Sequence, residues 1–256
     1  MPGATEVLDR FYSVRLGVSL PDLRAGQVGV GTCDRRTYAE RGFGFVRLLW
    51  VMQVGDRAAA SVHPAALAEV ARLAWGRKPE EMLQDDFVSP AWQAVQRALP
   101  GVAMGGGETS LICYHPGGAE AGECEGEVRA LTPADTDKRI GEHAFMSAAE
   151  HPSAARGEAF GMFVEEGVVG EVITHEPPVA EMAHLVAEDG IGVAEEYRRR
   201  GYGKALLAAW TREMQGKGRV CVHSTSISNA ASIALAKSVG YVEYARGRAV
   251  TWREGE

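Results

Sequence analysis

The chain has 256 residues, 46% of them hydrophobic and 24% charged, enough to bury one large core or two of ordinary size. Its 27 basic and 34 acidic residues leave a formal net charge of -7, which argues against nucleic acid as a partner, and the most apolar stretch, 43–54, is too short for a membrane span and contains Arg47. Cys33, Cys113, Cys124 and Cys221 form no C-x-x-C pair, so neither a metal site nor a redox motif is indicated, and residues 1–6 lack a basic-then-apolar leader; the expectation is a cytoplasmic protein.

In the first half, Val7, Leu8, Phe11 and Tyr12 share a helical face, predicting a helix over 5–16 that Gly17 is placed to stop. Residues 47–54 and 57–62 read as strands joined by a tight turn at Gly55-Asp56. Ser61 to Pro64 supplies cap and first-turn chemistry for a helix to about Trp75. Ser89-Pro90 repeats the arrangement for a helix carrying Trp92, Val95 and Leu99. Glycine-rich stretches at 101–107 and 117–126 flank a short strand at 111–114. The second stretch marks the expected boundary between a smaller N-terminal α/β domain, 1–122, and a C-terminal domain, 123–256.

The second half opens with a strand at 128–131 and a helix starting near Asp135. Strands follow at 160–164, 168–174 and roughly 182–193, then a helix from about Gly203 to Gln215 and a strand at 220–224. A helix at 229–239 leads to a final pair of strands split at Arg246-Gly247. The whole is a mixed α/β layout, an α+β sheet flanked by helices, with no repeat period.

The stretch from Ile191 to Leu207 carries the most chemistry. An apolar strand ends at Val193, a basic loop with Gly201 and Gly203 follows, and an amphipathic helix starts at once. Such a junction aims unpaired N–H groups and the positive end of a helix dipole at one spot, where anions settle. A dinucleotide fingerprint would need a glycine at position 206, which is Leu206, and no Gly-Lys-Ser/Thr exists for a P-loop. A second element runs from Ser224 to Tyr241: Ser228 or Asn229 can open a helix, Ile233, Leu235 and Ala236 lie near its buried side, and Gly240 can end it.

Arg198-x-x-Gly201-x-Gly203 after a strand, then Asn229-x-x-Ser232 and Gly240-Tyr241, together resemble the GNAT superfamily of acyl-CoA N-acyltransferases. The resemblance covers roughly 127–256, including the opening VRALTPAD at 128–135. It implies a GNAT-like mixed central sheet and acetyl-CoA as acyl donor. It also implies that Arg198, Arg199, Arg200, Gly201, Tyr202, Gly203 and Lys204 surround the pyrophosphate. Ile191, Gly192 and Val193 would bond the pantetheine through the backbone, and Asn229 and Ser232 would touch the cofactor further along. Many members place a tyrosine seven residues after the asparagine to protonate the departing thiolate; here that residue is Ala236. The segment 1–122 carries no diagnostic motif, and reads either as a wall of the substrate site or as a degenerate second acyltransferase domain.

Acyl transfer to an amine needs a base, and Glu181, His184, Glu188 and Asp189 along the strand before the basic loop are the candidates, with His223 a further one. Tyr241, Ser226 and Ser232 are the alternatives for the acid, as is solvent alone. A backbone N–H near Gly192 or Val193 would polarise the thioester carbonyl. Three readings follow: acetylation of a small-molecule amine, acetylation of a protein or peptide amine, or a non-catalytic acyl-CoA sensor in which Ala236 marks lost chemistry. Neither nucleic acid nor membrane is expected as a partner, and a homodimer is compatible with the sequence.

Overall fold

The computed structural model describes residues 3–39, 44–101, 105–119, 124–141, 151–176 and 178–252. Helix α1, Ala4–Leu16, buries Val7, Leu8, Phe11, Tyr12, Arg15 and Leu16, the i, i+3/i+4 stripe that the sequence predicts. Gly17 ends it in the left-handed region at φ 66°, and no other residue fits, because a Cβ there would meet the Thr32 carbonyl oxygen at 2.0 Å. Strand β1, Val28–Gly31, precedes the hairpin of β2, Val46–Val54, and β3, Arg57–Val62. Helices α2, Leu67–Ala74, and α3, Asp85–Ala98, follow.

Helix α3 begins four residues before the expected Ser89-Pro90 start, with Pro90 inside it. A proline there removes one backbone donor, and the orphaned Asp86 carbonyl instead accepts from the Arg77 guanidinium at 3.0 Å. Burial of Phe87 and Val88 rewards the added turn.

Strand β4, Gly105–Tyr114, extends the expected short strand, and β5 is Glu127–Ala130. Asp135 lies within a 3-10 turn, Pro133–Lys138, capped by Thr132, where a helix is expected; residues 142–150 lie outside the described ones. Helix α4, Pro152–Ala155, leads to β6, Phe160–Val164, β7, Gly167–Thr174, and β8, Val186–Val193. Helix α5, Tyr202–Gly216, strand β9, Val220–Ser226, helix α6, Ala230–Val239, and β10, Val242–Trp252, complete the order. The expected break at Arg246-Gly247 is absent. Both residues are paired on either side, with Gln53 and Met52 of β2 and with Leu111 and Ser110 of β4. Gly247 suits the close approach there, since a Cβ would stand 3.0 Å from the Trp50 indole nitrogen and push it aside.

Among the described residues the ten strands form one sheet in the order β1-β3-β2-β10-β4-β9-β8-β7-β6-β5. Pairs β1–β3 and β8–β9 are parallel and the others antiparallel. The sheet crosses the expected boundary at 122/123 without interruption, because β4 from the first segment lies between β10 and β9 from the second.

Three large apolar clusters cover this sheet, and a smaller fourth, Leu131, Ala159, Phe163, Val168 and Ile173, lies over β6 and β7. Helix α1 packs on one face against Trp50, Ile112, Val186, Val222 and Tyr244. Helices α2 and α3 pack against Val46, Leu49 and Val51, while α5 and α6 pack against Leu111, Cys113, Val172, Ala187 and Cys221. Cross-strand neighbours carry the same face from one half to the other, since Arg248 lies opposite Val51 and Arg246 opposite Leu111. Helices α2, α3, α5 and α6 therefore share one side and α1 takes the other. Among the described residues no helix is long and apolar enough to cross a membrane.

Candidate active site at a parting of two strands

Strands β8 and β9 are paired only at their beginnings: Val186 with Val220, Ala187 with Cys221 and Glu188 with Val222. Beyond these pairs β8 runs on to Val193 against β7, and β9 to Ser226 against β4. Each strand thus keeps its outer edge bonded and opens its inner edge, making a V-shaped cleft.

Backbone alternation decides which groups face that cleft. The Glu188 carbonyl accepts from His175 N–H at 2.9 Å and Ala194 N–H donates to Val169 at 2.9 Å, so the even-numbered residues are committed to β7. The Leu185 carbonyl accepts from Val220 N–H at 2.8 Å, on the β9 side. Ile191 and Val193 consequently turn their N–H and C=O groups into the opening, and Gly192 turns away. Of the two backbone donors expected to polarise a carbonyl, Val193 is the one so oriented.

The loop that follows is drawn back onto the strand by a hydrogen bond from Arg198 Nε to the Val193 carbonyl, 3.0 Å. Arg199, at φ 62°, and Gly201, at φ 83°, turn the chain sharply into α5. The first helical bond runs from Ala205 N–H to the Gly201 carbonyl at 3.0 Å, so the N–H groups of Tyr202, Gly203 and Lys204 precede the ladder at the positive end of the helix. Arg198, Arg199, Arg200 and Lys204 are exposed around that end, Arg200 lying over the Tyr197 ring at 5.2 Å. Tyr202 is buried, so only its backbone is offered. This donor set fits a pyrophosphate, and the open edge of β8 fits an extended chain bearing amides.

At the point of the V, Asp189 and His223 stand one residue beyond the last β8–β9 pair, on the face covered by α5 and α6. His223 Nδ1 lies 2.9 and 3.0 Å from the two Asp189 carboxylate oxygens, and His223 Nε2 lies 2.8 Å from Ser232 Oγ on α6. Both Asp189 and His223 are buried, at 6% and 3% exposure, while Ser232 is partly exposed. Burial disfavours the charged imidazole, but the charge and hydrogen bond of Asp189, helped by Glu188, outweigh it and raise the His223 pKa. The three groups make a hydrogen-bonded chain with a carboxylate at its buried end and a hydroxyl at the other.

Ser232 lies one helical turn before Ala236, which is buried. The Asn229 side chain accepts from Ser232 N–H at 3.1 Å, a plain N-cap of α6. Tyr241 gives its hydroxyl to Thr211 at 2.8 Å within the core, and Ser226 bonds Ser228 at 2.9 Å on the surface, so neither extends the chain at the cleft.

Glu188, next to Asp189, projects to the other face of the sheet by strand alternation. Its Oε2 is buried without a hydrogen-bond partner among the described residues and lies 3.9 Å from Arg15 Nη1 of α1. Glu181 and His184 do not join these groups. Both are exposed and lie before β8, which starts at Val186 rather than Met182. His184 lies in the turn that precedes β8, with Val186, Ala187 and Glu188 of the strand between that turn and Asp189.

The pairing of Asp189 with His223 and Ser232 has no signal in sequence spacing. What could have found it is the parity of two parallel strands in a fixed register. Among the described residues no group of three or more His, Cys, Asp or Glu could hold a metal ion.

Residues 129–241 match the family model described as the acetyltransferase (GNAT) family. No curated protein matches the sequence. Among solved structures, the chain is similar to a GNAT-family protein from Novosphingobium aromaticivorans, with 19% identity over 60% of this chain and 69% of that one and a TM-score of 0.48. A GCN5-related N-acetyltransferase from Sphaerobacter thermophilus shares 16% identity over 79% and 76% of the two chains, with a TM-score of 0.46. An acetyltransferase from the GNAT family of Colwellia psychrerythraea shares 16% over 76% of each, with a TM-score of 0.44.

Proposed function

Because residues 129–241 belong to the acetyltransferase (GNAT) family, we propose that this protein transfers an acetyl group from acetyl-CoA to a primary amine across the cleft between β8 and β9. The observation that carries the proposal is the Asp189–His223–Ser232 chain at the point of that cleft. It supplies a proton donor where Ala236 leaves none.

The division of labour follows from the alternation of β8. Glu188 faces the α1 side and Asp189 the α5/α6 side, so one strand presents two carboxylates to opposite sides of the reacting carbon. Glu188 accepts the proton of the ammonium substrate, directly or through water. The neutral amine then attacks the thioester carbonyl, forming the N–C bond, and the oxyanion is held by the inward N–H of Val193. The C–S bond breaks, and the thiolate takes the Ser232 hydroxyl proton, which His223 replaces from its imidazolium with Asp189 holding the ring. Glu188 passes its first proton to solvent and then takes the second amine proton, His223 is reprotonated from solvent, and the balance is one amide, one free thiol and one proton released.

Acetyl-CoA is held, in this reading, by the N–H groups of Tyr202, Gly203 and Lys204 with Arg198 to Arg200 around its pyrophosphate, and by the open edge at Ile191 and Val193. Asn229 already serves as a cap, and its contribution is to fix the first turn of α6 that carries Ser232. Residues 1–122 wall the acceptor side, through α1 and β4.

The test is thiol release and product mass spectrometry with acetyl-CoA and a panel of small amines and peptides. Replacing His223 by Ala lowers kcat by roughly a hundredfold or more, as general acids typically contribute, while acetyl-CoA affinity by calorimetry is retained. Ser232→Ala has a smaller effect in the same direction, since a water can take the place of the hydroxyl. Confirmed acetyl-CoA binding with no acylated product from any amine or peptide would sink transfer in favour of a non-catalytic acyl-CoA sensor.

A further inference from the structure

A serine nucleophile is built from three groups: a hydroxyl, an imidazole within hydrogen-bond reach of it, and a carboxylate that holds the other ring nitrogen. The point of the cleft holds all three. Ser232 Oγ lies 2.8 Å from His223 Nε2, and His223 Nδ1 lies 2.9 and 3.0 Å from the two Asp189 oxygens. The Asp189 carboxylate keeps the ring proton on Nδ1, so the neutral imidazole turns a lone pair toward the Ser232 hydroxyl. Triads of this kind recur on unrelated folds and in several chain orders, and what identifies them is geometry.

Burial is graded along the three groups. Ser232 is partly exposed, whereas His223 and Asp189 are 3% and 6% exposed, so the hydroxyl meets the cleft and the carboxylate is kept from water. The Tyr241 ring stands edge-on to the imidazole, with centres 6.0 Å apart, and packs it in place. Ser232 is the third residue of α6, and its N–H is fixed by the Asn229 side chain at 3.1 Å. A serine in a first helical turn commonly spends its hydroxyl on nearby backbone; this one turns to His223 on β9 instead. Negative charge that develops on its Oγ falls at the positive end of the helix dipole.

We propose that Ser232 is also a nucleophile, and that the protein hydrolyses acyl-CoA thioesters through an acyl-serine intermediate when water takes the place of the amine. This activity goes beyond amine acetylation and shares with it the bound thioester and the three groups. His223 Nε2 takes the hydroxyl proton while Ser232 Oγ forms a bond to the thioester carbon, with the oxyanion on the inward N–H of Val193. The C–S bond then breaks and the thiolate takes the proton from Nε2. Water next gives a proton to Nε2 as its oxygen bonds the acyl carbon, the Oγ–C bond breaks, and Ser232 recovers its proton. The balance is one thioester and one water consumed, and one free thiol and one carboxylic acid formed. In amine transfer the ring acts as the imidazolium and here as the neutral imidazole, so one ring serves both reactions in its two protonation states.

The experiment uses the full chain with acetyl-CoA and no amine. Thiol release and acetate are followed together, and quenched protein is mapped by mass spectrometry. Expected are release above the rate in buffer and an acetyl group on Ser232. An alkyl fluorophosphonate, which reacts with activated serines, should label the same residue in the wild type and not in His223→Ala. Ser232→Ala should fold, because the cap of α6 uses its backbone N–H, and should retain acetyl-CoA by calorimetry. Its amine-free hydrolysis should fall by at least about a hundredfold, more than its transfer to amines. Ser232→Cys, which keeps a nucleophile, should still take up the acetyl group. No amine-free release, hydrolysis that survives Ser232→Ala, or a Ser232 that carries neither an acetyl nor a phosphonyl group overturns the nucleophile; amine transfer that continues in that case leaves the transfer reading in place. Acetylated Ser232 with no transfer to any amine or peptide supports the nucleophile and overturns transfer.

Discussion

Glu188 and Asp189 are adjacent in the chain and lie on opposite faces of the sheet. A strand turns successive side chains to opposite faces, so a single dipeptide reaches both the α1 side and the α5/α6 core. The buried partner of Asp189 has a measurable signature. His223 has a folded pKa above its ordinary 6.5, because the Asp189 interaction exceeds the burial penalty. A group whose pKa rises on folding stabilises the native state fully below its unfolded value and loses that contribution as pH rises through the folded one. Urea unfolding of wild type and Asp189→Asn across pH 5 to 9 should therefore give the largest stability difference below about pH 6.5, narrowing as the imidazole loses its proton. A gap that is constant or widens upward would mean that His223 is not held as the imidazolium. Each of these residues could be singled out from the sequence, Glu188 and Asp189 as bases and His223 and Ser232 as weaker alternatives. Their grouping could not, because Asp189 and His223 are 34 residues apart and meet only through the register of β8 against β9. Glu181 and His184 belong to the same stretch of sequence before the basic loop, but β8 begins at Val186 and leaves both outside the strand.

The elements with a strong local signal fall where the sequence puts them. The β2–β3 hairpin, α5, α6 and strands β6 and β7 follow from hydrophobic period, turn residues and caps, and among them α5 and α6 flank the cleft between β8 and β9. Signals that depend on distant partners mislead. Pro90 reads as a helix start because nothing local shows that Arg77 will take the Asp86 carbonyl, and Arg246-Gly247 reads as a turn because nothing local shows Trp50 pressing on Gly247. The junction of loop and α5 also separates two glycines that look alike in the motif. Gly201 is at φ 83°, so a side chain there strains the backbone whatever binds nearby. At Gly203 the nearest neighbours of a Cβ would be Leu235 at 3.6 Å and Val193 at 3.8 Å, ordinary contacts that place it between α6 and the end of β8. Gly203→Val should fold as the wild type does and weaken acetyl-CoA binding by at least about tenfold, or about 1.4 kcal/mol. Calorimetry together with a thermal melt checks this; unchanged affinity in a variant of unchanged melting temperature would remove the first turn of α5 from the cofactor site.

At the scale of the whole molecule, the acyltransferase motifs made the second half legible and left the first half without a role, and the reason is that the first half acts through the sheet rather than through a motif. Strand β4 pairs Ser110 to Tyr114 with β9 on one side and much of β10 on the other, and the outer neighbour of β10 is β2. Removing residues 1–121 would strip β10 of both neighbours and β9 of one. It would also uncover Val179, Met182, Val186, Val222, Tyr244 and Ala245, which form a core cluster with α1. Unpaired strand edges beside exposed apolar surface are a template for aggregation. A fragment of residues 122–256, although it contains every residue matched to the family, should accordingly fail to give a soluble monomer with a cooperative thermal transition. Co-expression of 1–121 and 122–256 as separate chains should restore a soluble pair, because the missing strand and helix can then be supplied in trans. The decisive measurement is size-exclusion chromatography with a thermal melt of 122–256 alone. A monomer that melts cooperatively and binds acetyl-CoA would show that the two segments are independent units meeting at 122/123, and that the continuous sheet is an association between them rather than one cooperative fold.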